Sequence, residues 1–284
     1  MSGKAVGGRA RAGLHGGIHV PAEKMTTLRG NLAQVYAFDD LSTTCCRQCT
    51  CCRVACPQMK YSEAANIIDL VFDKTNGLFT RDERKHILVQ CVRYFFSDSL
   101  VKPCLLLDGY ECRVYDSRPL NCRLFGLWPH DDWEKRVANF VKSTGLPREK
   151  LPLNVQCPNV RRAPQECVEC KGAGKPCDGQ PKPGDVAADG CKVCGGTGKV
   201  SPSPLTGAQV SKLFNSLDAL DAVMGVSEAK IKASWNYRTF HDWVLLKFWG
   251  EDALVQWTNM ILNNTQEERD KLLEVFEAMV ETVL

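Results

Sequence analysis

The chain has 284 residues, 44% hydrophobic and 24% charged, with a formal net charge of +3 at pH 7. That is enough for one large domain or two ordinary ones of globular type, and no apolar run approaches the roughly 18 residues a membrane span needs. The opening residues lack the apolar core of a secretory leader, so a cytoplasmic setting is expected, in which patterned cysteines read as metal ligands and not as disulfides.

The charge is unevenly spread. Residues 1–30 hold Lys4, Arg9, Arg11, Lys24 and Arg29 against Glu23 alone, a balance of +4 (5 − 1). This Gly-rich stretch reads as a flexible basic tail that solubilises the chain. Residues 31–40 lead into the densest cysteine cluster, where positions 46, 49, 52 and 56 read C-x2-C-x2-C-x3-C-P. Two-residue gaps let a tightly turned backbone aim successive sulfurs at one centre, and this spacing is the bacterial run that wraps an iron–sulfur cluster.

Ser62 and Glu63 open a short helix carrying Ile67, Ile68 and Val71, broken at Asn76-Gly77. Thr80 with Glu83 is a capping-box pair, and behind it Ile87, Leu88, Cys91, Val92 and Phe95 share one helical face. Cys91 inside that stripe acts as a small core hydrophobe. Asp108-Gly109 between apolar runs signals a β-hairpin. A three-residue loop would pair Leu106 with Tyr110 and set Cys104 opposite Cys112, about 4.5–5.5 Å apart at the β-carbons. That register lets both sulfurs serve one centre and is the one expected.

Arg118-Pro119 makes a turn into Cys122-Arg123, and Cys157-Pro158 closes this part. Arg118 and Arg123 have two readings: they offset the negative charge of a thiolate-bound cluster, or they pair with Asp116 or Asp131. Residues 163–204 are rich in Gly, Pro, Lys and Asp and contain two copies of C-x-x-C-x-G-x-G, Cys167/Cys170 and Cys191/Cys194. Four thiolates so spaced suit structural, tetrahedral zinc, and Cys177 between them is spare. Residues 205–284 return to amphipathic helix. The last helix has its own capping box at Thr265 and Glu268, and Leu272, Phe276, Met279, Val280 and Val283 form the stripe it should bury.

Two resemblances follow. The paired Cys repeats resemble the cysteine-rich zinc module of J-domain co-chaperones. That family carries four such repeats and a His-Pro-Asp signature, whereas this chain has two and lacks the signature, so the resemblance implies one zinc site and no chaperone role. Residues 45–160 resemble the YkgJ-like CxxCxxCC family, described as zinc- or iron-chelating. The match lies in the early cysteine run, Cys104, the block from Cys112 through Tyr115, Arg118 and Pro119 to Cys122-Arg123, and the later Cys157-Pro158. Position 53, which should be the second cysteine of the doublet, is Arg; the doublet is Cys51-Cys52, so either Cys51 or Cys56 replaces the missing ligand. Flagellin lysine methylases share this pattern and are thought to carry an iron–sulfur cluster, but no Gly-rich loop for S-adenosyl binding is evident here.

The expected fold is therefore α+β: a small cysteine-rich, metal-centred domain (31–162) of short helices and a β-hairpin, an inserted zinc-ribbon-like loop (163–204), and C-terminal helices (205–284) packing on the first domain. The expected cofactors are a [4Fe–4S] cluster and Zn2+. Cluster ligands are drawn from Cys46, Cys49, Cys52, Cys56, Cys104, Cys112, Cys122 and Cys157, with Cys51 as the alternative, and zinc sits on Cys167, Cys170, Cys191 and Cys194. In the ferredoxin pattern the fourth cysteine of the run reaches elsewhere, so one of Cys104, Cys112, Cys122 or Cys157 would complete the first cluster. His15, His19, His86, His130 and His241 show no ligand or triad spacing, and His241 reads as a core or capping residue. No catalytic constellation is recognisable. The reading is an accessory, electron-relay or maturation factor for a protein partner, an enzyme or a redox protein. An iron–sulfur enzyme of redox or methyl-transfer chemistry and a purely zinc-binding interaction protein stand as alternatives. Few aromatics accompany the basic residues of the zinc module, which argues against nucleic acid as a partner.

Overall fold

A computed structural model describes residues 20–37, 43–44, 56–99, 102–109, 111–124, 127, 135, 137–139, 141–142, 147–148, 161–162, 165–166, 199–200, 205–232 and 238–284. In chain order the elements are α1 (Ala22–Tyr36), β1 (Thr43–Thr44), β2 (Gln58–Met59), α2 (Tyr61–Phe72), α3 (Arg81–Phe96), β3 (Leu107–Asp108) and β4 (Glu111–Cys112). A 3-10 turn (Tyr115–Ser117), α4 (Leu120–Arg123), β5 (Arg161–Arg162), β6 (Gln165–Glu166) and β7 (Lys199–Val200) follow. The chain ends with α5 (Gly207–Val223), α6 (Glu228–Lys232), β8 (Arg238–Thr239), α7 (Phe240–Asn263) and α8 (Gln266–Val283). The architecture is α+β, mostly helical, with antiparallel two-stranded ladders β1–β5, β2–β8, β3–β4 and β6–β7. No described helix is long and apolar enough to cross a membrane.

The chain forms two compact units, neither of them continuous in sequence. The first takes Met1–Arg29, Cys56–Leu105 and Asp221–Leu284; the second takes Gly30–Ala55 and Leu106–Leu220. In the first unit, α3 packs against both α7 and α8. Thr80 and Thr265 cap α3 and α8, each accepting the N–H of the glutamate three residues on, as the sequence predicts. Helix α3 buries Ile87, Leu88, Cys91 and Val92, and α7, which it packs against, buries Phe240, Val244 and Leu245. Phe96, Trp257 and Phe276 stack together, with Trp257 and Phe276 ring centroids 4.2 Å apart. Trp243 is wholly buried and its indole N–H donates to the Met59 carbonyl at 3.0 Å. The α8 stripe is narrower than its periodicity predicts: Phe276 and Val280 are buried, but Met279 is exposed.

The basic tail read over 1–30 gives way to helix at Ala22. Met25, Leu28 and Leu32 recur at helical spacing and are buried, and Arg29 reaches Asn66 and Asp69 at 3.1 and 2.6 Å. Three apolar residues in a polar segment are enough once they have a surface to cover. Helix α2 starts without a side-chain cap of its own at Lys60. The buried Asp221 carboxylate supplies one, accepting the Ser62 N–H at 2.8 Å where the helix N-terminus carries partial positive charge.

In the second unit the β3–β4 hairpin forms, but in a different register from the one expected. Asp108 pairs with Glu111 and Leu107 with Cys112, so the connection between the strands begins at Gly109. Gly109 has φ of +59°, the left-handed conformation that primed hairpin turns require at the first loop position. The turn thus begins at the glycine and not at Asp108, which places Leu107, not Cys104, across from Cys112. Two further ladders lie just outside the cysteine-rich stretches. Thr44 pairs with Arg161, two residues before Cys46 and four after Cys157, and Glu166 pairs with Lys199, flanking Cys167 to Cys194.

Candidate metal centre

Of the expected cluster ligands, Cys56, Cys104, Cys112 and Cys122 are described. Cys46, Cys49, Cys51, Cys52 and Cys157 lie outside the described residues, as do the zinc-site candidates Cys167, Cys170, Cys191 and Cys194. The four described positions divide between the two units, Cys56 and Cys104 in the first and Cys112 and Cys122 in the second.

In the second unit, Cys122 sits in the single helical turn α4, launched by Pro119: the Cys122 and Arg123 N–H groups both donate to the Pro119 carbonyl, at 2.9 and 3.1 Å. Both arginines of this block bind main chain. Arg118 Nε donates to the Tyr115 carbonyl at 2.9 Å, and its guanidinium lies 3.6 Å from the Tyr115 ring centroid. Arg123 Nε donates to the Arg118 carbonyl at 2.8 Å, a second guanidinium nitrogen donates to the Asp116 carbonyl, and the group covers the Tyr36 ring. Where the sequence left open a role beside cluster charge or an Asp116 salt bridge, the guanidinium acts on the Asp116 carbonyl oxygen. These planar forks brace the turn that carries Cys122. Tyr115 serves as the 3-10 turn's aromatic platform.

In the first unit, the β2–β8 ladder organises the site. Gln58 pairs with Thr239 and Met59 with Arg238. Cys56 and His241 each lie two residues beyond the Gln58–Thr239 pair, at the same end of the ladder. Thr239 then caps α7, its hydroxyl accepting the Asp242 N–H while the Asp242 carboxylate accepts the Thr239 N–H at 3.0 Å. This cap aims the first turn of α7 inward, and His241 is only 3% exposed. Its ring meets Tyr94 edge-on, with centroids 4.7 Å apart. Its Nε2 is buried with no hydrogen-bond partner.

The electrostatics follow from burial. Loss of water lowers the His241 pKa to about 4; Lys102 adds to this, while Asp242 and the Pro103 carbonyl oppose it. The ring is therefore neutral at pH 7. Burial pushes the Cys91 thiol well above its usual range, with Asp242 and Cys104 adding to the shift. Tyr94 is raised by burial first, then by the thiols of Cys91, Cys56 and Cys104. Tyr94 thus lies in edge contact with a neutral imidazole. Cys91 is wholly buried and serves the core, as its place in the stripe predicts.

Thiols and neutral imidazole are soft or borderline donors that suit zinc and iron. Among the described residues, no three His, Cys, Asp or Glu side chains form a closed group able to hold a metal ion. Cys56 shares one end of the β2–β8 ladder with His241, whose Nε2 is buried without a hydrogen-bond partner. His241, read from the sequence as a core or capping residue, is buried in the first turn of α7, behind the Thr239–Asp242 capping box. No protein-family model matches the chain, and no curated protein or solved structure matches it either.

Proposed function

We propose that this chain is a cytoplasmic metal-binding accessory protein of YkgJ-like type that carries an iron–sulfur cluster and a structural zinc. It serves a partner enzyme or redox protein as an electron relay or maturation factor. The cluster is [4Fe–4S], held by thiolates drawn from Cys46, Cys49, Cys52, Cys56, Cys104, Cys112, Cys122 and Cys157, with Cys51 as the alternative. When bound it supplies one-electron chemistry at a potential set by charge and hydrogen bonds around its sulfurs. Cys167, Cys170, Cys191 and Cys194 hold zinc in a zinc-ribbon-like insertion.

The observation that carries this reading is the β2–β8 ladder, which sets Cys56 at the same end as His241, whose buried Nε2 has no hydrogen-bond partner. The ladders that pair Thr44 with Arg161 and Glu166 with Lys199 add support, since each draws together the two ends of one cysteine-rich stretch. The chain's own contribution is to brace Cys122 through Arg118 and Arg123.

Anaerobic purification with an absorption spectrum and iron, sulfide and zinc analysis on one sample tests the proposal. A brown protein with about four irons, matching sulfide and one zinc per chain is the expected result. A colourless protein with zinc and no sulfide would remove the electron relay and leave a structural or interaction role.

A further inference from the structure

Five of the six large apolar residues exposed among the described residues lie between Val255 and Met279, in α7 and α8. The two helices pack through Trp257 and Phe276, so their outer faces belong to one hairpin. Beyond the Gly250 break, Val255 and Leu262 are seven residues apart and share one face of α7, 56% and 76% exposed. On α8, Val275 and Met279 are four apart and share another, 57% and 39% exposed. Each stands two residues before a glutamate that ties α8 to α3: Glu277 pairs with Arg93, and Glu281 with Lys85. Two residues turn a helix by about 200°, so Val275 and Met279 lie on the flank turned away from those ion pairs. Helix α8 thus carries two apolar stripes. Phe276 and Val280 are buried, and the second stripe is uncovered.

The charge around these residues indicates what covers them. Residues 251–284 hold eight carboxylates against Arg269 and Lys271, a balance of −6 (2 − 8), in a chain whose total is +3. Glu251, Glu267, Glu277 and Glu281 have cationic partners. Asp252, Glu268, Asp270 and Glu274 form no ion pair among the described residues. Asp252 lies three residues before Val255, and Glu268 seven before Val275, so carboxylates and exposed apolar side chains share the same stripes. A second copy of the hairpin would bring like charges together, and an anionic lipid surface would be repelled. An apolar stripe flanked by positive charge complements both features.

We propose that this hairpin face docks a cationic amphipathic helix of a partner protein. The helix sets its apolar stripe on Val255, Leu262, Val275 and Met279 and its Lys or Arg side chains toward Asp252 and Glu268. Val255 and Leu262 stand about 10 Å apart along the axis, the reach over which a helix repeats its own anchors at i and i+7. Every residue used lies in α7 or α8, which carry no cysteine, so the proposal stands independently of the metal-centre reading.

Fluorescence anisotropy with three labelled synthetic peptides, each titrated with the full chain, tests this. One has leucines at helical spacing among lysines, one replaces lysine by glutamate, and one replaces leucine by serine. Only the first is expected to bind, and more weakly as salt rises. Val275→Ser with Met279→Ser should raise its Kd by about tenfold or more, and Asp252→Asn with Glu268→Gln should flatten the salt dependence. Val223→Ser, also exposed but on α5, should leave binding unchanged. Leu262→Ser, the most exposed of the four, decides the matter if circular dichroism shows that the double serine variant has lost its helix. Equal binding of the lysine and glutamate peptides would overturn the proposal, as would serine variants that bind like the wild type. Self-association abolished by Val275→Ser would overturn it in favour of a second copy, and binding to phosphatidylserine vesicles abolished by that variant in favour of a membrane.

Discussion

Arg123 binds two main-chain carbonyls, those of Arg118 and Asp116, and lies over the Tyr36 ring. A lysine keeps the charge but cannot present a planar fork. Arg123→Lys is therefore expected to lower unfolding free energy by about 1–2 kcal/mol in urea titration; an unchanged midpoint would mean the guanidinium does not brace the turn. Asp221 makes a related prediction in the first unit. Its buried carboxylate accepts the Ser62 N–H at the start of α2. Asp221→Ala strands that N–H and should cost about 2–3 kcal/mol, whereas Asp221→Asn keeps an acceptor and should cost less than half as much. Equal losses would remove the capping role. The Asp221–Ser62 contact was not legible in the sequence, because the two residues are 159 apart and no local spacing encodes such a pair. Cys91 was legible, because its environment is set by its own helix face.

At the level of elements, local rules carried well and register did not. The caps of α3 and α8 depend on residues three apart, and Thr80 with Glu83 and Thr265 with Glu268 announce them. The hairpin turn depends on which residue takes positive φ, and Asp108-Gly109 allows more than one answer. The observed choice moves Cys112 across from Leu107. Helix α1 escaped notice because its apolar stripe is sparse. Helix α7 contains a break that composition cannot reveal: Gly250 stands at φ 81°, ψ 172°, a conformation essentially confined to glycine. A β-carbon there would meet nothing within 4 Å. Gly250→Ala thus isolates backbone strain from crowding and is expected to destabilise by about 1–3 kcal/mol in thermal or urea unfolding. A neutral effect would mean that the kink relaxes freely.

For the whole molecule, composition suggests contiguous blocks, whereas each compact unit is assembled from separated stretches. The bond from Trp243 to the Met59 carbonyl spans 184 residues, and pairings of that reach are set by packing, which a single sequence does not display. The same holds for Cys56 and His241, which are far apart in sequence and come to the same end of the β2–β8 ladder. One of the other ladders has an engineering consequence. Glu166 and Lys199 are paired, so residues 167–198 (198 − 167 + 1 = 32) leave the backbone and return to it at adjoining points. Replacing them with Asn-Gly would turn a long excursion into a tight hairpin and lower the entropy cost of closing it. The shortened chain should keep the helical circular dichroism of the parent and, on the function proposed above, lose one zinc and no iron. If the helical signal collapsed, the excursion would be part of the scaffold. If it survived, these residues are a cassette, able to be exchanged or lost without rewriting the protein around them.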